Sequence, residues 1–381
     1  MTLFRQALDT FWSTDVWLPP NVTWADLEPN DQIQYANYRH LSYPLPFAVL
    51  LLIARYVVEK FWFTPMALSL GLRATKPKKA PPNDILEKAY QHNSKMKHKE
   101  VVGLAKQLDI SERKVERWLR LRKYQDKPSA AVKFCESCWK ASYYTYSFIY
   151  GLYVLWDKPW LWRINECWTD YPHQSVSNDI WWYYMISLSF YWSLCASQFF
   201  DVIRKDFWQM FIHHICTVLL IMFSWVCNLH RVGSLVLLVH DCADVFLESA
   251  KALKYAKYQK ACDAVFAIFT IAWIATRVII FPFWILWSTA IDAPRIVNTM
   301  FPAYYIFNGL LTLLFILNLY WTALILRLAY NTLSAGEMQG DIRSSSSECE
   351  CVSDDGSGIS VASTKHNNHN SNSNSKSKYS D

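Results

Sequence analysis

Residues 204–254 have the sequence RKDFWQMFIHHICTVLLIMFSWVCNLHRVGSLVLLVHDCADVFLESAKALK, and this stretch decides the fold. It contains two apolar spans, residues 207–226 and 231–250, joined by a short polar turn at residues 227–230. Each span has about the 20 residues that a helix needs to cross a bilayer. The stretch therefore predicts a pair of antiparallel membrane helices.

Both spans also carry ionisable side chains, which hydrocarbon rejects. Such a group inside a membrane span costs a few kcal/mol or more unless it faces a partner or a water-filled cavity, so it is a functional candidate by default. Several of them in one hairpin carry more weight than a single one. The candidates are His213, His214, His240, Asp241, Asp244 and Glu248.

The spacing places these candidates at one depth. Asp241, Asp244 and Glu248 stand at positions i, i+3 and i+7, so they share one face of a helix. His213 lies about six residues into its span and Asp244 about seven from the opposite end of its antiparallel partner, which at roughly 1.5 Å per residue puts both about 9 to 11 Å below the same surface. We expect the imidazole and carboxylate groups to meet.

Composition and charge indicate a polytopic membrane protein. Of 381 residues, 52% are hydrophobic and 16% aromatic, and a mean hydropathy near zero hides apolar blocks separated by one very polar insert. Between residues 72 and 134 there are 17 Lys and Arg against 7 Asp and Glu. Basic segments stay on the cytosolic side of a membrane, so this insert orients the chain. The ten cysteines imply no disulfide framework.

The hydropathy pattern predicts an all-α polytopic membrane protein with about seven transmembrane helices, a luminal N-terminus and a cytosolic C-terminus. Asn21 lies in a sequon on the luminal side and is a candidate glycosylation site. Ser345 and Ser347 precede acidic residues and are candidate phosphorylation sites. The predicted segments are residues 1–43 (luminal), 44–63 (first transmembrane helix), 72–127 (cytosolic insert), 130–328 (transmembrane catalytic domain) and 334–381 (disordered cytosolic tail).

Part of the insert, LAKQLDISERKVERWLRLRK at residues 104–123, resembles the last two helices of a homeodomain, whose first helix is degenerate here. In a homeodomain an Asn three positions after the Trp equivalent to Trp118 reads adenine, and Leu121 occupies that position. We therefore expect no specific DNA binding. The basic side chains of this helix suit anionic lipid or a role in setting topology.

The motifs RKDFWQMFIHH and HDCADVFLESAK resemble the signature of the ceramide synthases, which are TLC-domain membrane proteins. The resemblance implies that six of the helices form a TLC-type bundle around a substrate tunnel. It implies transfer of a fatty acyl group from acyl-CoA to the amine of a sphingoid long-chain base, in the endoplasmic reticulum membrane. The products are dihydroceramide or ceramide and free CoA.

The residues fit this chemistry in their own right, because acyl transfer to an amine needs a base or an acyl-accepting nucleophile. His213 is the candidate for either role, and His214 is expected to serve the same cavity. Asp241 and Asp244 are expected to orient the histidine pair, as a carboxylate fixes an imidazole tautomer. Either carboxylate could instead anchor the ammonium group of the sphingoid base.

Four further residues are candidates for substrate binding. Arg204 and Lys205 are basic side chains at a predicted cytosolic surface, where the phosphates of CoA should remain. His240 and Glu248 neighbour the aspartates. We expect neither a metal nor a cofactor beyond acyl-CoA as co-substrate, and a homodimer or heterodimer with related synthases is a further hypothesis.

Three other functions compete with this interpretation. A di-iron hydroxylase or desaturase needs about eight clustered histidines, whereas the membrane half of this chain has only His213, His214, His230 and His240. A non-catalytic TLC protein in lipid sensing or translocation has no need of the intact His and Asp motif. A membrane-tethered DNA-binding protein conflicts with Leu121.

Overall fold

The computed structural model describes residues 6, 9–30, 33–72, 79–93, 96–125, 128–298 and 301–335, and within them all regular secondary structure is helical. The predicted all-α class is confirmed. The candidate phosphorylation sites Ser345 and Ser347, with nearly all of the predicted tail, lie outside the described residues.

Ten helices carry the architecture. The helix Pro44–Val58 continues through the π-helical residues Glu59–Phe63 into the short helix Thr64–Ser69. The helix Gln259–Trp273 likewise continues through the π-helical residues Ile274–Leu286 and Ser288–Asp292 into Ala293–Val297. In chain order the helices are α1 Pro44–Val58, α2 Asp84–His92, α3 His98–Gln107, α4 Glu112–Gln125, α5 Ala130–Leu155, α6 Asn178–Ser197, α7 Phe207–Val226, α8 His230–Tyr255, α9 Gln259–Trp273 and α10 Pro302–Ala335.

Four helical stretches are long and apolar enough to cross a membrane, which makes the chain a multi-pass membrane protein. They are Tyr38–Ser69, Phe207–Val226, Gln259–Val297 and Pro302–Ser334. Helices α5, α6 and α8 have 26, 20 and 26 residues and so have the length to cross as well. Their many polar side chains keep them out of the first group, and the count of seven spans stays a prediction.

Helix α8, which carries the acidic candidates, is surrounded by other helices. It packs along α5 and α9 and also contacts α6, α7 and the π-helical continuation of α9. Helix α1 instead flanks the bundle and packs on α6, with Leu50 and Tyr56 on its exposed side. The ionisable groups of α8 are therefore enclosed by protein rather than by lipid.

The N-terminal segment and the α5–α6 connection meet at one end of the bundle. Val176 N–H donates to the carbonyl of Gln34 at 2.7 Å, and Trp225 at the end of α7 donates from Nε1 to the carbonyl of Asn37 at 3.0 Å. Trp17 is fully buried in the same core. The sequon residue Asn21 is exposed beside this end.

The insert forms a compact three-helix unit. Leu86 from α2, Val101 and Ala105 from α3, and Val115 and Trp118 from α4 make its core. The first helix, which the sequence analysis found degenerate, forms with Asn83 as its cap, since the Asn83 side chain accepts from the Leu86 N–H at 3.0 Å. The insert therefore has all three helices of the arrangement it resembles.

One basic side chain of the insert is used internally. Arg122 on α4 donates to both carboxylate oxygens of Glu87 on α2, at 2.7 and 2.8 Å, and its guanidinium lies 5.2 Å from the Tyr90 ring centroid. These hydrogen bonds hold the pKa of Glu87 below its ordinary value. Arg122 thus braces the insert and is not presented to a nucleic acid.

Gly233 on α8 provides a test of the helix packing. A Cβ there would lie 1.9 Å from the hydroxyl of the fully buried Tyr184 and 3.0 Å from Ser224 Oγ, whereas a Cβ at Gly309 on α10 would meet nothing within 4 Å. We expect Gly233→Ala to destabilise the fold by about 1 to 3 kcal/mol, as overpacking does. The measurement is thermal unfolding of the purified protein in detergent.

Gly309→Ala is the matched control, because it makes the same chemical change in a membrane helix where there is open space. It should leave the midpoint of unfolding unchanged or raise it slightly, since Ala favours a helix over Gly. Equal loss of stability in the two variants would contradict the close packing of α6, α7 and α8.

Candidate active site

The histidine pair lies on α7 and its two rings have different surroundings. His214 is buried, and its Nδ1 is 2.9 Å from the Gln198 side-chain oxygen at the end of α6. His213 is partly buried and meets the Trp321 ring of α10 edge-on, with 5.4 Å between centroids. Its Nδ1 has no hydrogen-bond partner among the residues that the structure describes. His213 therefore keeps a nitrogen uncommitted.

Asp241 on α8 is held against α5. It is 1% exposed, and Ser147 Oγ donates to Asp241 Oδ2 at 2.6 Å. Ser147 is itself buried. A buried carboxylate without such a donor would be strongly destabilising, so Ser147 is part of the reason why Asp241 is tolerated.

Asp244, one turn further along α8, is paired with an arginine. Arg277 Nη2 donates to Asp244 Oδ2 at 2.9 Å, and the side chain of Arg277 is only 3% exposed. The same guanidinium donates to the carbonyl of His240 and to Asn318 Oδ1 on α10, and it lies 4.9 Å from the Trp273 ring centroid. Arg277 thus joins α8, α10 and the continuation of α9.

Among the described residues no hydrogen bond joins Asp241 or Asp244 to the histidine pair, although Asp244 lines the same cavity as His213 and His214. Within the described ranges, Asp241 accepts from Ser147, Asp244 accepts from Arg277, and the His214 ring is bonded to Gln198. The physical reason is competition, because a guanidinium in a low-dielectric site attracts a carboxylate far more strongly than a neutral imidazole does. Neither aspartate fixes a histidine tautomer through a direct hydrogen bond.

His240 and His230 have local roles. His240 Nδ1 bonds the carbonyl of Val236 in its own helix at 2.8 Å, and its ring meets Phe281 edge-on. His230 is fully buried at the start of α8, with Nδ1 3.2 Å from Asn228 Oδ1. His230 closes the α7–α8 turn.

A cluster of buried charges lies beyond the histidines. Lys251 donates to Glu248 at 2.6 Å, and on α5 Lys140 donates to Glu136 at 2.6 Å. Arg204, just before α7, lies 3.3 Å from the same Glu136 oxygen. Glu136, Glu248 and Lys251 are each about 5% exposed or less. Such pairs persist in an apolar bundle because each charge is matched by its neighbour.

Two cavities have His213 in their walls. The first, which we call the apolar chamber, has an empty volume of about 1000 Å³ between α7, α8 and α10, and its walls include Leu220, Val236 and Phe307. The second, the charged vestibule, has an empty volume of about 1140 Å³, and its wall contains both histidines of the pair and most of the buried charges, namely Lys140, Arg204, His213, His214, Asp244, Glu248 and Lys251. Of the described residues, His213 and Arg277 alone line both cavities.

Of the two basic residues predicted to bind substrate, only one lines the vestibule. Arg204 lines it, together with Lys140 and Lys251, whereas Lys205 is not part of its wall. His240 lines the apolar chamber and Glu248 the vestibule, so these two candidates lie on different sides of His213. Asp241 lies behind the chamber wall, against α5.

Sequence reasoning missed Arg277 and Lys140. Arg277 is a lone cation in an apolar span, so the rule that selected the histidines and aspartates applies equally to it. Lys140 lies within the predicted transmembrane domain of residues 130–328, and no spacing signal distinguishes it there. In the part of the chain that the structure describes, no group of three or more His, Cys, Asp or Glu side chains is arranged to hold a metal ion.

The sequence matches two protein families. Residues 133–327 match the TLC domain family, and residues 81–128 match the homeodomain family. Human ceramide synthase 5 is 44% identical over 342 residues, which cover 88% of this chain and 87% of the relative. The chain belongs to the ceramide synthase family.

Other ceramide synthases show the same breadth of similarity. Mouse ceramide synthase 3 is 41% identical, with 90% of this chain and 89% of the relative covered. The Caenorhabditis elegans ceramide synthase hyl-1 is 34% identical, with 88% and 84% covered. The match to ceramide synthases therefore spans the insert and the transmembrane bundle together.

The ion pair between Arg277 and Asp244 should contribute to the stability of the folded protein. Asp244→Ala leaves a buried guanidinium without its counter-ion, and removal of one partner of a buried pair costs about 3 to 5 kcal/mol. Arg277→Met in the same chain removes the uncompensated charge. We expect the double variant to unfold at a higher temperature in detergent than Asp244→Ala alone, and a double variant that is less stable than both single variants would contradict the pairing.

Proposed function

We propose that the chain transfers a fatty acyl group from acyl-CoA to the amine of a sphingoid long-chain base, giving dihydroceramide or ceramide and free CoA. The similar proteins are named ceramide synthases, which supports this reaction for the present chain. The observation that carries it is the position of His213, where an apolar chamber meets a charged vestibule.

An acyl-CoA has one apolar part and one charged part, which match the polarity of the two cavities that share His213. Its fatty chain suits the chamber, whose walls are almost entirely hydrophobic, and its phosphates suit the cationic side chains of Lys140, Arg204 and Lys251. The thioester between these two parts then lies at the junction, beside His213. Burial of the chain supplies most of the affinity and the charged groups supply orientation.

His213 can act on the thioester or on the amine. A neutral imidazole can take a proton from the attacking amine, or it can attack the thioester itself and carry the acyl group to the amine. His214, tied to Gln198, lines the vestibule side of the same junction. Both routes need the uncommitted ring that His213 presents.

Asp244 supplies fixed negative charge next to this junction. It lines the vestibule, where it suits the ammonium group of an incoming sphingoid base, and its charge stabilises an imidazolium across the cavity. Asp241, which lies behind the wall of the apolar chamber, adds a second negative charge that stabilises the imidazolium. The two carboxylates therefore contribute electrostatically and not as direct partners of the histidines.

We further propose the cellular setting. The chain lies in the endoplasmic reticulum membrane with its N-terminus and Asn21 in the lumen, its C-terminus in the cytosol, and the vestibule open towards cytosolic acyl-CoA. Assembly as a homodimer or heterodimer and phosphorylation of the tail are part of this proposal. The reaction needs neither a metal nor a bound cofactor, and a stoichiometric two irons per chain in metal analysis would overturn that part.

DNA binding is not favoured for the insert. Leu121 replaces the Asn that reads adenine in a homeodomain, and Arg122 is committed to Glu87. Arg117, Arg120 and Lys123 can still contact anionic lipid headgroups at the membrane surface.

The first test is the reaction itself. Purified protein in phospholipid vesicles receives acyl-CoAs of graded length and a sphingoid base, and the amide products are measured by mass spectrometry. We expect His213→Ala to lower turnover by about 100-fold or more, as loss of a general base or nucleophile does. His98→Ala is the matched control, because the His98 side chain is 76% exposed on the insert.

Two outcomes would contradict the proposal. Absence of amide product from the wild-type protein at every chain length would remove the reaction. Near-normal turnover of His213→Ala would remove His213 from the mechanism even if the reaction stands.

A neighbouring pair of basic residues tests the vestibule. Arg204 lines it and Lys205 does not, so we expect Arg204→Gln to raise the KM for acyl-CoA by about tenfold, in line with one lost charge-assisted hydrogen bond, while the KM for the sphingoid base stays unchanged. Lys205→Gln should leave both constants near those of the wild type. Equal changes in the two variants would indicate general surface charge and not a built binding site.

A further inference from the structure

We infer that Arg277 is a catalytic residue of this acyl transfer and that its guanidinium stabilises the oxyanion of the tetrahedral intermediate. This inference rests on the proposed function. Nothing in the sequence motif contains Arg277, which lies 29 residues after Glu248 in a separate helix. The assignment comes from position, rigidity and unused hydrogen-bond donors.

The position follows from the two cavities. A thioester with its chain in the apolar chamber and its CoA in the charged vestibule must place its carbonyl group at their junction. His213 and Arg277 are the described residues that line both spaces. An imidazole and a guanidinium thus lie where a nucleophile or base and an electrophilic group are needed together.

The guanidinium is held before any substrate arrives. Three acceptors fix it, namely the Asp244 carboxylate, the His240 carbonyl and Asn318 Oδ1, and Trp273 covers one of its faces. Donors that need no reorganisation during the reaction are the most effective at stabilising developing charge. The low dielectric of the surrounding bundle strengthens that effect.

Arg277 still has donors to offer. A guanidinium has five N–H donors, and the described contacts use both hydrogens of Nη2 and one of Nη1. Arg277 Nε has no hydrogen-bond partner among the described residues, although it is buried. A buried donor left unpaired costs free energy in the resting protein, and an oxyanion at the junction would recover it.

The local backbone also marks the position. Arg277 lies in the π-helical stretch Ile274–Leu286, directly after the α-helical Gln259–Trp273. π-Helical turns are rare and occur frequently at functional sites, because the extra residue in the turn redirects a side chain. Here the change in helix type places the guanidinium over α8 and next to α10.

The reaction step balances as follows. The amine lone pair attacks the thioester carbonyl carbon, the C=O electron pair moves to oxygen, and the oxyanion is met by the Arg277 N–H donors while His213 takes the ammonium proton. Re-formation of C=O breaks the C–S bond, and the departing thiolate takes the proton from His213, leaving amide and thiol. If His213 attacks first, the same oxyanion forms once on acylation and again on transfer to the amine.

The experiment combines a change in the enzyme with a change in the substrate. In Arg277→Lys a cation remains for Asp244, but the planar guanidinium with its five N–H donors is lost. We expect kcat to fall by about 100- to 1000-fold with little change in KM, as for loss of an oxyanion donor. The second substrate is a dithioester analogue, in which the carbonyl oxygen is replaced by sulfur, a poor hydrogen-bond acceptor.

The ratio of kcat values for the thioester and the dithioester identifies the role. The wild type should favour the thioester strongly, and Arg277→Lys should reduce that preference towards that of the uncatalysed reaction. Asn318→Ala, which removes one of the three acceptors that fix Arg277 but none of its donors, should lower the ratio less than Arg277→Lys does. A ratio in Arg277→Lys equal to that of the wild type would overturn the inference and leave Arg277 as a positioning residue for Asp244.

A second measurement holds even if Arg277→Lys does not fold. In His213→Ala with native Arg277, the bound thioester, labelled with carbon-13 at its carbonyl, should show an infrared C=O stretch at lower frequency than the same thioester in vesicles without protein. An unshifted band would overturn the inference. Loss of amide synthesis by the wild-type protein would instead remove the proposed function, so the two failures are distinguishable.

Discussion

A buried ion pair between Arg277 and Asp244 ties the active site together. It joins α8 to the π-helical continuation of α9, and the same guanidinium reaches α10 through Asn318. In hydrocarbon either charge alone would be very costly, so the two require each other and hold their helices in one relative position. Arg277, the cation of this pair, lies in the walls of both cavities.

The charged cluster beyond the histidines follows the same physical rule. Lys140 and Arg204 share Glu136, and Lys251 is paired with Glu248, so almost every ionisable group near the vestibule has a neighbour of opposite sign. The cluster extends to α1, because Asp201 is 3.6 Å from Lys140 and 2.7 Å from Arg55. The flanking first helix is therefore connected electrostatically to the bundle that carries the chemistry.

The difference in polarity between the two cavities sets the orientation of the substrate. An apolar space accepts a fatty chain without any specific contact, and a charged space accepts the nucleotide part of a thioester, so the substrate has one favourable orientation. Catalytic groups then need only occupy the border. In the proposed reaction, His213 acts at this boundary of polarity, with fixed charges held nearby.

Apolar length, ionisable groups within apolar spans and a linear motif are local properties, so they were enough to predict the all-α membrane class, the candidate residues and the family. Which of these groups are hydrogen-bond partners depends on how the helices pack. Asp241 and Asp244 share a helix face with matched depth to His213, yet they bond Ser147 and Arg277, since the rotation of each helix and the nearest competing donor select the contact. Those two quantities depend on packing between distant segments, which no local pattern in the chain records.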